Sequence, residues 1–225
     1  MLKVSIIIPT YNSENTIGET IASVQQQSFT NWELIIIDDG SQDNTAGVVK
    51  NIAESRIKLF VYENGGVAVA RNRGIAQATG EFITFLDADD LWTHDKLALQ
   101  IEALNQNPKA KVAYSWTSFV DENGKFIFSG KRLYYQGNIY EDLLLTNFLL
   151  SGSNILVRKD ALQVVTGFKP NLPYAADWDF YLRLAKNFDF VVVPQYQILY
   201  RQSVNSMSST VKIEEIKQES LKVID

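Results

Sequence analysis

The sequence holds no cysteine and a single histidine, His94. Disulfides, thiolate catalysis and sulfur-ligated zinc are therefore excluded, and so are metal centres built from several imidazoles. There is no Gly-x-Ser-x-Gly elbow, which leaves a serine–histidine hydrolase without its parts. No Gly-x-x-x-x-Gly-Lys-Ser/Thr phosphate loop occurs, and no Gly-x-Gly-x-x-Gly follows the first apolar run. P-loop NTPases and dinucleotide oxidoreductases are set aside on that ground. Basic residues are the minority, 21 against 26 acidic ones, for a net charge of −5. That balance gives no reason to expect a nucleic-acid partner, which needs cations to neutralise phosphates. No stretch stays apolar for the ~20 residues of a membrane helix. The first apolar run ends at Pro9, too early for a signal peptide. The expectation is a cytoplasmic protein, with peripheral contact at the inner membrane face left open. Chemistry must then rest on oxygen: carboxylates to hold any cation and a carboxylate as general base.

The 225 residues are 46% hydrophobic and 21% charged, the composition of an ordinary globular chain that can bury about 70% of its unfolded surface. The first half alternates short β-branched runs with helix-period segments. Val4–Ile8, Leu34–Ile37, Lys58–Tyr62, Phe82–Leu86 and Val112–Trp116 read as strands. Ile17, Ile21 and Val24, then residues 45–53, 68–78 and the set Leu97, Ile101 and Leu104, read as helices. Ser13 or Asn15 is the expected cap of the first helix and Asp43 of the second. This alternation predicts an open, twisted, mostly parallel α/β sheet with helices on both faces, Rossmann-like in layout. The second half reads as mixed α+β. It has a hairpin turning at Asn123-Gly124, helices over 138–145, 160–165 and 177–186, a strand over 190–193, and a C-terminal amphipathic helix marked by Ile213, Ile216 and Val223. One domain over 1–225 is expected, its halves dividing near residue 110.

Polar clusters fall just after the strands, where open α/β sheets bind ligands. They are Pro9-Thr10-Tyr11-Asn12, Asp38-Asp39-Gly40-Ser41 and Asp87-Ala88-Asp89-Asp90. Each alone also reads as a turn or a helix cap; three on one sheet edge read as a site. The third is the sharpest, because crowded carboxylates raise one another's pKa unless a cation intervenes. Magnesium or manganese, hard cations that take oxygen ligands, would suit it and keep positions open for a diphosphate. Capping of the helix after Thr93 by Asp89 or Asp90 is the alternative. Later, Asp177-Trp178-Asp179-Phe180 opens a helix. An acid there is favoured by the helix dipole, or it serves as general base for an acceptor hydroxyl.

Taken in order, Val4–Asn12, Asp38–Asp43, Ala70-Arg71-Asn72-Arg73-Gly74, Asp87–Asp90 and Asp177–Asp179 resemble the family 2 glycosyltransferases, inverting enzymes of the GT-A fold that use nucleotide-sugar donors. The resemblance covers residues 4 to 184. It implies a UDP- or dTDP-sugar donor, a saccharide or lipid-linked acceptor, and a nucleotide pocket of Pro9, Thr10, Tyr11, Asn12, Asp39, Arg71, Asp87 and Ala88. Asp39 would accept from the base imide and Arg71 would lie near the diphosphate. Asp87 and Asp89 match the family's Asp-x-Asp motif, which holds manganese or magnesium, and Asp177 stands at the catalytic base. The half beyond residue 110 would bind the acceptor in polysaccharide or glycoconjugate synthesis. A sugar-phosphate nucleotidyltransferase shares the layout, but Pro9–Glu14 has neither the glycine nor the basic residue of its phosphate loop. A binding module that has lost activity would not need Asp87, Asp89 and Asp177 together. Two positions depart from the pattern. Ser203 stands where many relatives have a histidine after an arginine, here Arg201, and His94 replaces a helix-opening proline and reads as a solvated residue.

Overall fold

The computed structural model describes residues 2–172, 174–203, 219 and 223. Its first four strands are the apolar runs that the sequence marks. β1 (Val4–Thr10) and β2 (Trp32–Asp38) are buried at every position, and β3 (Ile57–Val61) and β4 (Phe82–Phe85) flank them. All pair in parallel, in the order β3-β2-β1-β4. Continuous apolar sequence is what a strand covered on both faces requires. The alternation of side chains then divides the core in two. Ile7, Ile35, Ile37, Ile83 and Phe85 face one cluster, while Val4, Ile6, Ile8, Leu34 and Ile36 face the other.

Helices cover each face. α1 (Ile17–Gln25), α2 (Thr45–Lys50) and α4 (Lys96–Gln106) bury Ile17, Ile21, Val24, Val49, Leu97, Ile101 and Leu104 on the second cluster. On the first, α3 (Val67–Gln77), α5 (Tyr140–Leu145) and α6 (Ala176–Asn187) contribute Ala68, Ala70, Leu143, Phe180 and Leu184. Between α3 and β1 the approach is close: a Cβ at Gly74 would overlap the Ile7 side chain.

Beyond β4 the sheet becomes mixed, as the sequence of the second half suggests. Next to β4 lies β8 (Leu156–Arg158), antiparallel, then β6 (Ala110–Val120), β9 (Asp189–Arg201) and the two-residue β5 (Leu91–Trp92). β7 (Phe126–Ser129) pairs with β6 alone, across the expected turn in which Gly124 takes φ +77°. The 160–165 helix is a 3-10 turn over Lys159–Gln163. β6 and β9 are far longer than their apolar runs predict, and β5 and β8 carry too few residues to be seen by periodicity.

Caps differ from expectation. α1 has Thr16 at its N-cap with no side-chain capping bond; Ser13 serves through its carbonyl, which accepts from the Thr16 and Ile17 N–H groups. Asp43 does accept the Thr45 N–H, at 3.0 Å. The C-terminal helix lies outside the described residues except for Glu219 and Val223. Glu219 Oε2 accepts from the Tyr174 and Ala175 N–H groups ahead of α6. No helix among the described residues is long and apolar enough to cross a membrane. Gly74→Ala should lower unfolding free energy by about 1–3 kcal/mol through overpacking against Ile7. Urea denaturation within ~0.5 kcal/mol of wild type, the spread of a neutral surface change, would show that the α3–β1 contact is slacker than this.

Candidate functional site

Because β1, β2 and β4 are parallel neighbours, their carboxyl ends lie side by side and bring the three polar clusters to one edge. Pro9 and Thr10 are still in β1, opposite Ile37 and Asp38. Thr10 is buried and its hydroxyl has no partner among the described residues, while its carbonyl accepts the Asp39 N–H at 2.9 Å. Tyr11 is half exposed. Asn12 takes φ +50°, a conformation asparagine tolerates, and locks this loop to the next. Its N–H donates to Ser41 Oγ (3.0 Å) and its Oδ1 accepts the Gln42 N–H (2.7 Å). Asp38 closes its own turn by accepting the Ser41 N–H.

Asp39 is buried and fully engaged. Oδ1 accepts from the Gly65 N–H (3.0 Å) and Arg73 Nη1 (2.8 Å), and Oδ2 from the Gly65 (3.1 Å) and Gly66 (2.7 Å) N–H groups. Three donors, the Gly65 N–H shared between the two oxygens, the Gly66 N–H and Arg73 Nη1, thus tie Asp39 to the start of α3. A carboxylate has about four lone-pair sites, so the base-imide contact that the resemblance implies is added to a carboxylate already held by the protein.

At the end of β4 the three carboxylates have three different surroundings. Asp90 turns inward, 1% exposed, and accepts from Ser151 Oγ (2.9 Å), Ser153 Oγ (2.6 Å) and the Arg201 N–H (3.1 Å). It caps nothing: α4 starts at Lys96 behind Asp95, without a side-chain cap. Burial, then the charges of Asp89 and Asp87, push its pKa well up. Asp87 accepts from Arg71 Nη2 at 2.5 Å, with side-chain exposures of 27% and 7% for acid and base. It thus shows one face to solvent while Arg71 is enclosed. Asp89 has no side-chain hydrogen bond among those described, and burial followed by the charge of Asp87 raises its pKa to about 6. Ala88 is buried, its carbonyl accepting from Thr20 Oγ1.

A segment that carried no sequence signal walls the cluster. In Ser151-Gly152-Ser153-Asn154, Ser153 Oγ accepts the Asp87 N–H (3.0 Å) as well as donating to Asp90. Gly152 lies against the ion pair: a Cβ there would overlap Arg71 and come within 3.1 Å of Asp87 Oδ2. Asn154 is anchored to β6 through both the N–H and the carbonyl of Ser115. Arg201, 3% exposed, donates to the Asp89 carbonyl (2.8 Å), the Glu122 carbonyl (2.5 Å) and Glu19 Oε2 (2.7 Å). His94 is exposed just ahead of α4, with Nδ1 against the Gln26 carbonyl, far from a ligand role. Of the late loop, Arg201 and Ser203 are described; Val204 onward, to Ser206, lies outside the described residues.

Asp177 and Asp179 part company, as two positions about 200° apart on a helix must. Asp179 is buried in ion pairs with Lys169 (2.7 Å) and Arg183 (2.7 Å). Asp177 is half-buried and accepts the next N–H, of Trp178, at 2.7 Å. Its pKa is raised by burial and by Asp87, and held back by the Arg71 guanidinium. Arg71 is thus ion-paired with Asp87 and also subject to the charge of Asp177, and its own Nε is buried with no partner among the described residues.

No group of three His, Cys, Asp or Glu side chains converges on one point among the described residues. What remains for a cation is the pair Asp87 and Asp89. That pair suits magnesium or manganese, which bind through one or two carboxylates and complete their shell with phosphate oxygens and water. Burial first, then the charge of Asp87, raises the pKa of Asp89 against the opposing charge of Arg201, and a bound cation would favour the ionised form. Ser153→Ala removes a bond to Asp90 and the partner of the Asp87 N–H; it should cost about 1–3 kcal/mol in urea unfolding. A loss below ~0.5 kcal/mol, the range of a neutral surface substitution, would mean that the wall does not hold the cluster.

The comparisons with known proteins agree with this layout. The family model described as glycosyltransferase like family 2 matches residues 5–217. The chain is 34% identical, over 224 residues, to the Escherichia coli UDP-Glc:alpha-D-GlcNAc-diphosphoundecaprenol beta-1,3-glucosyltransferase WfgD, covering 96% of this chain and 83% of that protein. S. aureus TarS 1-349 in complex with UDP-GlcNAc superposes with a TM-score of 0.81 at 23% identity, over 99% of this chain and 65% of that one. The mannosyltransferase PcManGT from Pyrobaculum calidifontis, in complex with GDP-Man and Mn2+, gives 0.67 at 22% identity, over 92% of this chain and 58% of that one. The chain thus spans less than two thirds of either solved protein, and the likeness to them is one of fold. The curled, open α/β sheet is that of GT-A glycosyltransferases, and the chain belongs to the family 2 glycosyltransferases.

Proposed function

We propose that the protein moves a sugar from a UDP-linked donor to a hydroxyl of a lipid-linked saccharide, with inversion, during synthesis of a polysaccharide or glycoconjugate. WfgD, named for a UDP-glucose donor and a diphosphoundecaprenol-linked acceptor, supports this choice of substrates, and TarS bound to UDP-GlcNAc agrees with the donor. A dTDP-sugar fits the same pyrimidine reading. In this scheme residues up to about 110 bind the donor and those beyond it the acceptor. Thr10, Tyr11 and Asn12 line the nucleoside pocket with Pro9, and Asp39 shapes its floor through Gly65, Gly66 and Arg73. Arg71, Asp87 and Ala88 lie at the diphosphate. Asp87 and Asp89 would hold magnesium or manganese, which supplies positive charge where the leaving diphosphate develops its own.

The observation that carries the reading is that Asp177 lies one helical turn before Tyr181, whose hydroxyl donates to the Ser151 carbonyl in the wall that packs on the Arg71–Asp87 ion pair. It links the donor end of the site to a carboxylate whose pKa burial has raised, as a general base requires. Asp177 takes the proton of the acceptor hydroxyl. The hydroxyl oxygen bonds to the anomeric carbon from the face opposite the diphosphate, and the carbon–oxygen bond to the diphosphate breaks as its electrons leave with UDP. The anomeric carbon is inverted, and the proton remains on Asp177 until solvent removes it.

The test pairs two neighbouring acids. Loss of a general base typically costs about 10²–10⁴ in rate, so Asp177→Asn should lower kcat by that factor with UDP affinity and Tm near wild type. Asp179→Asn should instead lower Tm, because it removes the buried negative charge paired with Lys169 and Arg183. Wild-type turnover in Asp177→Asn would remove it from the mechanism.

A further inference from the structure

Most of the polar and charged side chains so far described are satisfied inside the molecule. The hairpin β6–β7 is the opposite case. All four residues of β7 are exposed, Phe126 by 60% and Ile127 and Phe128 by 46% each. Phe128 stacks on Phe119 of β6 at 4.4 Å, and Phe119 meets Tyr200 of β9 at 5.5 Å, so the apolar surface continues across three strands. Tyr134 (64% exposed) and Tyr135 (37%) follow in the next segment. That segment is tied to β6: Trp116 Nε1 donates to the Leu133 carbonyl and Tyr114 Oη to the Tyr135 carbonyl.

Sheet edges of this kind invite pairing with another chain and are usually blunted, and a contiguous exposed apolar patch marks an interaction surface. The charges choose the partner. In a chain of net charge −5, residues 123–140 contain Lys125, Lys131 and Arg132 and no acid; all three cations are exposed. The flanking acids are Asp121 and Glu122 in the turn and Glu141 and Asp142 in the first turn of α5. Asp121 Oδ1 is occupied by the Asn123 and Lys125 N–H groups. A second copy paired antiparallel along β7 would set Lys125 near Lys131 of its mate, like charge facing like.

We infer that the β6–β7 hairpin docks on an anionic lipid bilayer, with Phe126, Ile127 and Phe128 entering the boundary of headgroups and acyl chains and Lys125, Lys131 and Arg132 meeting the lipid phosphates. Aromatic rings at the interface and cations that reach lipid phosphates are the established physics of such contacts. The turn of the hairpin points to the carboxyl edge of the sheet, because β6 runs parallel to β9 and ends at Val120 opposite Arg201. Arg201 joins the two regions, donating to the Glu122 carbonyl in the turn and to the Asp89 carbonyl in the acid cluster. A bilayer met by the hairpin therefore lies on the side of the molecule where the site opens. The inference goes beyond the proposed transfer reaction and does not need it, since binding is measured without donor or acceptor.

Flotation of the full chain with vesicles of phosphatidylglycerol mixed with phosphatidylcholine, against phosphatidylcholine alone, reads it out. Wild type should float with the mixed vesicles and much less with phosphatidylcholine, and added salt should release it. Lys125→Gln with Lys131→Gln should weaken partitioning by about 25-fold, at roughly fivefold per cation. Phe126→Ser with Ile127→Ser should weaken it about tenfold or more, with Tm and UDP affinity unchanged. Asp177→Asn should float like wild type, which separates failure of docking from failure of the transfer reading. Wild type that stays off the mixed vesicles, or variants that bind as wild type does, would overturn the inference. So would a dimer in light scattering that Phe126→Ser with Ile127→Ser turns into monomer, for the surface would then be an interface between copies.

Discussion

Three carboxylates within four residues, at the end of a strand buried on both faces, cannot all be ionised without compensation, and the surrounding structure is arranged by how each one is treated. Asp90 is withdrawn into the core and given two serine hydroxyls and the Arg201 N–H. Asp87 receives a guanidinium, enclosed on its far side. Asp89 has no side-chain partner among the described residues, and burial with the charge of Asp87 raises its pKa to about 6 against the opposing charge of Arg201. Breaking a buried ion pair by removing one partner typically costs about 3–5 kcal/mol, so Arg71 and Asp87 constrain everything packed on them. Gly152 is bare because that pair fills the space its side chain would need.

The opposite end of the sheet shows the contrast. Glu33, near the amino end of β2, is also buried, yet it accepts from Ser5, Thr79, Lys3 and Lys58. Those hydrogen bonds outweigh desolvation and hold its pKa well below the usual carboxylate range. An acid held down in this way adds stability that is present above its unfolded pKa and is lost as pH falls through the folded one. At the carboxyl ends the shifts of Asp89, Asp90 and Asp177 run upward, so ionising them costs stability as pH rises above their unfolded values. Glu33 at the amino end of β2 is an acid that strengthens the fold, whereas Asp89, Asp90 and Asp177 are acids that burial penalises.

How much of this could be read from the chain depends on how local its cause is. β1 to β4, their parallel layout and the edge bearing Thr10, Asp39 and Asp87 follow from apolar runs and the turns after them, all short-range signals. The separation of Asp177 from Asp179 follows from helix geometry alone. What was hidden is long-range. Ser151–Asn154 lies more than 60 residues from the acids it serves and has no motif of its own. The donors that hold Asp39, from Gly65, Gly66 and Arg73, sit on the far side of β3, so the aspartate looked free. β6 and β9 run past their apolar stretches because each finds its partner in the other, with register shifts at Ser115/Trp116 and Trp116/Thr117 that break the periodicity.

If Asp89 is what draws a divalent cation and a donor diphosphate to this edge, then binding of UDP must depend on both Asp89 and the cation. Calorimetric titration of UDP is the direct measurement, made with manganese, with chelator, and with manganese on Asp89→Asn. Chelation and the substitution should each weaken UDP binding about tenfold or more, at least ~1.4 kcal/mol. Equal affinity in all three would contradict the account, because Asp89 and the cation would then have no part in holding the donor.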